Sequence, residues 1–296
     1  MRGIATDDQN VYWLDGPNCG PASVMTIRKD GVGGARQFFD AGGFGVSLTI
    51  ADRELYWLLR EGAVVKAPLD GGQAAQALTT PAGLAPYDLV TNGAYAVWYA
   101  CQEDACPSPG DRPCTSGQQP TPKHIQVQSL NASTVREVAS SFGAIALNMD
   151  RERVYWSDRA GFQGLWFAPI VNGTAVLVSD EWIDAFAVTD GMIYWSTSMS
   201  FLDGSPQCAI RVGSTSGPGS LVLETSYPFC PKSLLQVDVT GMYWLDENLS
   251  VRALPRAPED PPTSFGFPGC LEINALAADA SAFYLTCSDR LVRLGR

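Results

Sequence analysis

The chain has 296 residues, 46% of them hydrophobic and only 17% charged, with a formal net charge of −11. That balance excludes a face that reads nucleic-acid phosphates or docks on an anionic membrane, since both need clustered Lys and Arg. It also excludes membrane insertion by a helix, because no apolar run is long enough to span a bilayer.

Read from the N-terminus, one aromatic phrase keeps returning. Asn10-Val11-Tyr12-Trp13-Leu14-Asp15 is echoed by Leu55-Tyr56-Trp57-Leu58, Val154-Tyr155-Trp156-Ser157-Asp158, Ile193-Tyr194-Trp195-Ser196 and Met242-Tyr243-Trp244-Leu245-Asp246. Two looser copies, Val97-Trp98-Tyr99 and Ala282-Phe283-Tyr284, keep the paired aromatics. With the first aromatic as marker, the copies fall at 12, 56, 98, 155, 194, 243 and 283. A strand-rich unit repeating every 40–45 residues or so is the signature of a β-propeller. The expectation is therefore an all-β fold, a seven-bladed β-propeller of four-stranded antiparallel blades, in a single domain over 1–296. Strands are labelled A to D from the axis outward.

Blade one has a B–C loop over 15–22, alternation at Val24-Met25-Thr26-Ile27 and a hairpin signal at Asp30-Gly31. Blade two is the cleanest, with strands over 48–51, 55–59, 63–69 and 75–79. Asp70-Gly71 joins its last two strands, because Gly takes the positive φ that a tight hairpin needs. Blade three carries a disulfide-rich loop insertion over about 101–122, then half-buried alternation at Ile125-Gln126-Val127 and a turn at Asn131-Ala132. Blade four turns at Asn172-Gly173. Blade five has a long loop over 197–207 and a looser turn at Ser216-Gly217, and blade six a tight one at Asp246-Glu247-Asn248. Blade seven shows three strands, over 273–277, 282–286 and 291–294. Met1-Arg2-Gly3, ahead of strand A of blade one, is too short to supply a fourth. Either blade seven has three strands or the segment that would close the ring is missing, and the absence of a leader leads to the expectation that a leader, and with it a tether, has been removed, which agrees with the second. No stretch has helical periodicity.

In strand B, Tyr and Trp point to opposite faces, so each ring is expected to pack against a neighbouring blade. That makes Trp13, Trp57, Trp156, Trp195 and Trp244 core. Carboxylates recur at the A–B turns: Asp7-Asp8, Asp52, Asp150, Asp190 and Asp279. Capping of those turns is preferred over a calcium site, because one Asp per blade does not converge on a point.

Tyr-Trp-Leu-Asp and Tyr-Trp-Ser-Asp resemble the Tyr-Trp-Thr-Asp repeat (YWTD-like) of low-density-lipoprotein-receptor-type propellers. They are more similar to the secreted bacterial propellers that carry a looser version of it. The resemblance spans essentially the whole chain and implies the fold. Thr is replaced in every copy, and the terminal Asp survives only at Asp15, Asp158 and Asp246. The receptor propellers have six blades flanked by small disulfide modules, so a receptor role is not implied here.

Deviations from the repeat gather on the face shared by B–C loops and D–A crossings (40–46, 81–88, 180–184, 226–232 and 264–269). All eight cysteines map there. Cys270 with Cys287 and Cys208 with Cys230 are the expected pairs, since antiparallel neighbours bring those ends together. Cys19, Cys101, Cys106 and Cys114 leave three pairings open. A zinc site of Cys101, Cys106, Cys114 and His124 is the alternative, but it lacks a Cys-x-x-Cys turn and strands Cys19. Disulfides imply an exported protein: secreted, cell-surface or periplasmic. Arg outnumbers Lys 16 to 4, the codon signature of a GC-rich bacterial genome. Asn131, Asn172 and Asn248 head N-glycosylation sequons at turns, expected to be silent in a bacterium.

The chain has one histidine, too few for a multi-histidine metal centre, and neither a Gly-x-Ser-x-Gly elbow nor a phosphate loop. No cofactor is expected. The candidate binding residues are the rim aromatics and carboxylates Tyr87, Asp88, Glu181, Trp182, Asp184, Tyr227 and Phe229, a mixture suited to sugars or cationic groups. Covering the channel mouth or the disulfides is their structural alternative. The sequence leads to a monomeric, non-catalytic binding or scaffold propeller that holds a protein or glycan on its cysteine-bearing face. The alternative is a hydrolase or lyase acting at the channel mouth with carboxylates.

Overall fold

The computed structural model describes residues 2–296 apart from 18–19, 82, 102–114, 117–118, 121, 133, 159–162, 190, 201–205, 215–218, 227–229, 239, 247, 256–261, 267–272, 280 and 288–289. The described residues contain strands and turns and no helix. Blade one is β1 (Arg2–Thr6), β2 (Asn10–Asp15), β3 (Ser23–Arg28) and β4 (Arg36–Asp40). Blade two is β5 (Gly45–Ala51), β6 (Glu54–Leu59), β7 (Ala63–Pro68) and β8 (Ala75–Thr79). Blade three is β9 (Ala85–Thr91), β10 (Tyr95–Cys101), β13 (Lys123–Ser129) and β14 (Val135–Ser141), with a small hairpin of β11 (Thr115–Ser116) and β12 (Gln119–Pro120) in its insertion. Blade four is β15 (Ala144–Met149), β16 (Arg153–Asp158), β17 (Gly164–Pro169) and β18 (Val176–Ser179). Blade five is β19 (Ile183–Thr189), β20 (Met192–Ser200), β21 (Pro206–Gly213) and β22 (Ser220–Ser226). Blade six is β23 (Pro231–Val237), β24 (Gly241–Asp246), β25 (Val251–Pro255) and β26 (Thr263–Phe265). Blade seven stops at three: β27 (Ile273–Ala278), β28 (Ala282–Cys287) and β29 (Leu291–Gly295). The strands pair in chain order within each blade, so the fold class is the seven-bladed β-propeller the repeat leads one to expect.

The blades group into two units. One holds Met1–Gly143, Asn274–Ala278 and Ala282–Arg296, and with them blades one, two and three and most of blade seven. The other holds Ala144–Ile273 and Asp279–Ser281, and with them blades four, five and six. Within the first unit the inner strands β1, β5 and β9 are neighbours, and the Leu89 amide donates to Ser47 Oγ across two blades at 3.2 Å. Within the second, β19 neighbours both β15 and β23.

The aromatic doublet forms the cores. Tyr12 of blade one and Trp57 of blade two share one cluster, and Tyr56 of blade two and Trp98 of blade three share the next. Tyr155 meets Trp195, and Tyr194 packs on the cluster of Trp244. Each of these blades thus offers its Tyr to the following blade and its Trp to the preceding one, as opposite-facing strand neighbours must. Trp57, Trp98 and Trp244 are fully buried.

The A–B turns hold the carboxylate caps. Asp7 Oδ1 accepts the amides of Gln9 and Asn10 at 2.7 and 2.6 Å, while the Tyr12 hydroxyl donates to Oδ2 at 2.8 Å. Asp150 repeats this with Glu152 and Arg153, both at 2.8 Å, and Tyr155 at 2.6 Å. Asp238, which sequence reasoning misses, does the same with Thr240 and Gly241, and Asp279 caps Ser281. In blade three Asn92 replaces the carboxylate. This turn corrects the aromatic register in two blades. Counting from Asn92 and Asp279, it is Val97 and Tyr284 that stand where Tyr12 stands, and Trp98 aligns with Trp13. Blade two differs: Asp52 and Arg53 both have positive φ, 48° and 63°, as a two-residue hairpin turn requires. Asp190 lies outside the described residues. A second correction concerns β13, where Ile125, Gln126 and Val127 are all buried rather than alternating. Gln126 is kept inside because its Oε1 accepts the Trp98 Nε1 proton at 2.9 Å.

Candidate functional site

At the loop end of the blades, six inner strands carry the same irregularity. One residue of strand A is left over in its pairing with strand B, so that the strand bulges. The extra residue is Gly3 in blade one, Val46 in blade two, Asp88 in blade three, Ile145 in blade four, Asp184 in blade five and Lys232 in blade six. A bulge redirects a side chain, and bulges concentrate near working sites. Asp88 and Asp184, chosen from sequence on rim position alone, therefore occupy equivalent places in their blades. Period-two patterning gives no sign of a bulge, so this equivalence is invisible along the chain.

Asp88 has φ 49° and Gly3 has φ 54°. For Gly3 the conformation is free, and a Cβ there would lie 2.9 Å from the Leu48 amide nitrogen. Asp88 holds the same left-handed backbone with a full side chain. Next to it, Tyr87 is 6% exposed and stacks on Tyr99 with centroids 5.8 Å apart. The Arg60 guanidinium sits 5.6 Å from the Tyr87 ring and 5.8 Å from the Phe44 ring, and Lys123 lies 5.5 Å from Tyr99. Burial, followed by the nearby Asp88 charge, raises the Tyr99 phenol, which stays neutral at ordinary pH. The rim of blades two and three is thus a ladder of rings and cations with one carboxylate at the bulge. Sequence reasoning names Tyr87 and Asp88 but misses Arg60, Tyr99 and Lys123, which come together only through pairing between strands.

In the second unit Glu181 has a structural task. Its Oε2 accepts Trp195 Nε1 at 3.1 Å, and its Oε1 accepts Arg211 Nε at 2.9 Å. Trp182, beside it, is 41% exposed, whereas Trp195 is 1% exposed. Cys208 and Cys230 form the expected disulfide, with Cα atoms 5.6 Å apart. Cys101 and Cys287 are also disulfide-bonded. Cys19, Cys106, Cys114 and Cys270, together with Tyr227 and Phe229, lie outside the described residues. With Cys101 oxidised and His124 Nδ1 sharing a 3.1 Å hydrogen bond with Glu137, the zinc alternative does not hold. In blade six, Asp246 Oδ1 accepts the amides of Asn248 and Ser250, each at 2.9 Å, and its Oδ2 accepts Arg252 Nε at 2.8 Å. The terminal Asp of the repeat there closes the B–C turn.

A cavity of about 660 Å³ lies at the opposite, A–B turn end of blades one and two, lined by Asp7, Asp8, Asp52, Glu54 and Asp70 with Arg53. The turn carboxylates, expected one per blade and apart, here share a cleft. Burial alone would raise the Asp7 carboxyl, but the amides of Asn10 and Gln9 and the Tyr12 hydroxyl outweigh it and hold the group below its ordinary value. Among the described residues, no group of three or more His, Cys, Asp and Glu is arranged to hold a metal ion.

No protein-family model matches the chain, and no curated protein matches it significantly. Solved structures do. The β-propeller domain of the Trilobed protease from Pyrococcus furiosus, described as having an open velcro topology, superposes with TM-score 0.61 at 11% identity, covering 91% of this chain and 84% of that one. An oligogalacturonate lyase from Vibrio parahaemolyticus gives 0.58 at 10% identity, over 89% and 76%. A gluconolactonase from Xanthomonas campestris gives 0.52 at 17% identity, over 83% and 82%. At these identities the likeness establishes the propeller fold and carries no activity with it.

Proposed function

We propose that this is an exported, non-catalytic binding propeller of the Tyr-Trp-Thr-Asp-repeat type, which holds a protein or glycan against the loop end of its blades as a monomer and without a cofactor. The observation that carries this reading is Asp88. A non-glycine residue in the left-handed region costs about 1 kcal/mol or more, and such strain gathers where a side chain must meet a ligand. Blade one meets the same left-handed backbone at this position with Gly3, so the backbone geometry can be met without a side chain. The exposed Trp182 ring and the neighbouring Asp184 bulge supply a comparable pair of groups in the second unit. The Cys208–Cys230 bridge supports an oxidising compartment and a stiff rim.

The test is a screen of the purified chain against immobilised polysaccharides and peptides, repeated with Asp88→Gly and Trp182→Ala. Asp88→Gly relieves the backbone, so stability should hold or rise by about 1 kcal/mol. Binding should fall by about tenfold or more in the same variant, the loss of one good polar contact. Ligands whose affinity neither substitution changes would place the contact elsewhere.

A further inference from the structure

We infer that Asn172 is a site of spontaneous deamidation. The amide nitrogen of Gly173 closes on its side chain and ammonia leaves, so that an aspartate or isoaspartate comes to stand at the outer turn of blade four. Asn is a thermolabile residue, and a following Gly has no side chain to hinder that approach. The chain contains two such pairs, Asn92-Gly93 and Asn172-Gly173. The fold treats them oppositely, and the difference decides which one reacts.

Asn92-Gly93 lies in the A–B turn of blade three and is held shut. The Asn92 Oδ1 accepts the amides of Ala94 and Tyr95 at 3.0 and 2.9 Å. The Gly93 amide, which must lose its proton to become the nucleophile, donates to Thr91 Oγ1 at 3.1 Å. Gly93 also packs so closely on the Asp52 side chain of blade two that even a Cβ would collide with it. Bringing the Gly93 nitrogen onto Asn92 Cγ therefore breaks these hydrogen bonds and opens a contact between blades.

Asn172-Gly173 lies between β17 and β18 without those restraints. Asn172 is exposed. Among the described residues, neither its side chain nor the Gly173 amide makes a hydrogen bond. The backbone explains why so labile a pair stands here. Asn172 has φ 48°, a left-handed conformation that Asn tolerates better than most residues. Gly173 lies against the Pro169 ring, where a Cβ would collide. The shape of the turn favours Asn followed by Gly, and nothing in it guards the pair.

The reaction needs water alone. The Gly173 nitrogen gives its proton to solvent and bonds to Asn172 Cγ. The Cγ–Nδ2 bond breaks, and ammonia leaves with a proton taken back from solvent. Water then opens the resulting succinimide ring. Opening at Cγ gives aspartate, and opening at the backbone carbonyl gives isoaspartate. Either product puts a carboxylate into a stretch, 170–179, that has no charged side chain. It stands near Val171, Val176 and Leu177, which are 62, 41 and 44% exposed. Ageing of the chain thus charges the apolar outer edge of blade four.

The experiment incubates the purified full chain in mildly alkaline buffer, folded and in urea. Peptide mass spectrometry follows both pairs by the exchange of ammonia for water. In the folded chain Asn172 should convert at least about tenfold faster than Asn92, since the Asn92 turn must first give up its hydrogen bonds. In urea the two rates should converge. Thr91→Val removes the acceptor of the Gly93 amide, and should speed conversion at Asn92 while leaving Asn172 unchanged. No conversion at Asn172, equal or faster conversion at Asn92, a difference that persists in urea, or an Asn92 rate unmoved by Thr91→Val would each overturn the proposal.

Discussion

At the A–B turns of blades one, four and six, a carboxylate meets two backbone amides and the hydroxyl of the blade's own repeat tyrosine. At the loop end the same chemical type is used differently in each blade. Asp246 is buried on Arg252, Glu181 is tied to an indole and a guanidinium, and Asp88 sits on a strained bulge beside a cation-lined aromatic ladder. The turn end repeats because each bond there is local, within five residues. The loop end varies because its partners come from different strands. Recurrence thus marks the scaffold, and variation marks the places where one blade departs from the next.

The largest expected effect breaks the comparison at Asp246, a loop-end residue buried as completely as any in the core. Its side chain is 0% exposed and that of Arg252 14%. Asp246→Ala removes two amide acceptors and strands the arginine, so urea unfolding should show a loss of about 3–5 kcal/mol. A loss below about 1 kcal/mol would mean the pair is a surface feature. Glu181→Ala comes next, at about 2 kcal/mol, because the Trp195 N–H loses its acceptor inside the fold. Glu181→Gln keeps an oxygen and should recover most of it. Unchanged stability in both would return Glu181 to the ligand-contacting set.

Asp150→Ala, at the turn end, should cost about 1 kcal/mol. Its partner sharpens the contrast through pH. Burial first, and then the bond to Asp150, push the Tyr155 phenol up to about 12 from its ordinary 10. A raised value means the folded state favours the proton. The contribution is therefore complete below pH 10 and is lost as pH rises through about 12. Unfolding curves between those limits should steepen in the wild type and flatten in Tyr155→Phe. The smallest effect is expected at Trp182, where alanine should change stability by no more than about 0.5 kcal/mol.

The blades are legible in the sequence because the doublet, the Asp-Gly hairpins and strand alternation all agree on one period. Blade two matches the reading strand for strand, and the three-stranded end of blade seven is visible in the spacing after Tyr284. The aromatic register slips in blades three and seven because Val97 and Leu285 take ring positions, and only the turn residues Asn92 and Asp279 fix the alignment. Gln126 reads as solvent-facing because its reason for burial, the Trp98 indole, lies on another strand. The site is less legible for the same cause. Arg60, Tyr87, Tyr99 and Lys123 come from separate stretches of two blades, and no spacing along the chain announces that they stack. The Asp7 and Asp52 turns converge only after neighbouring blades are set side by side.

The arginines around β29 carry a further consequence. Among the described residues β29 is paired on one side only, and an open strand edge with half-buried Leu291, Val292 and Leu294 is a template on which identical molecules would stack. Like charge at Arg290, Arg293 and Arg296 keeps such copies apart, so these residues serve as gatekeepers of colloidal behaviour. Neutralising them should leave a correctly folded chain that precipitates at concentrations where the wild type stays clear, with turbidity rising further as added salt screens the remaining repulsion.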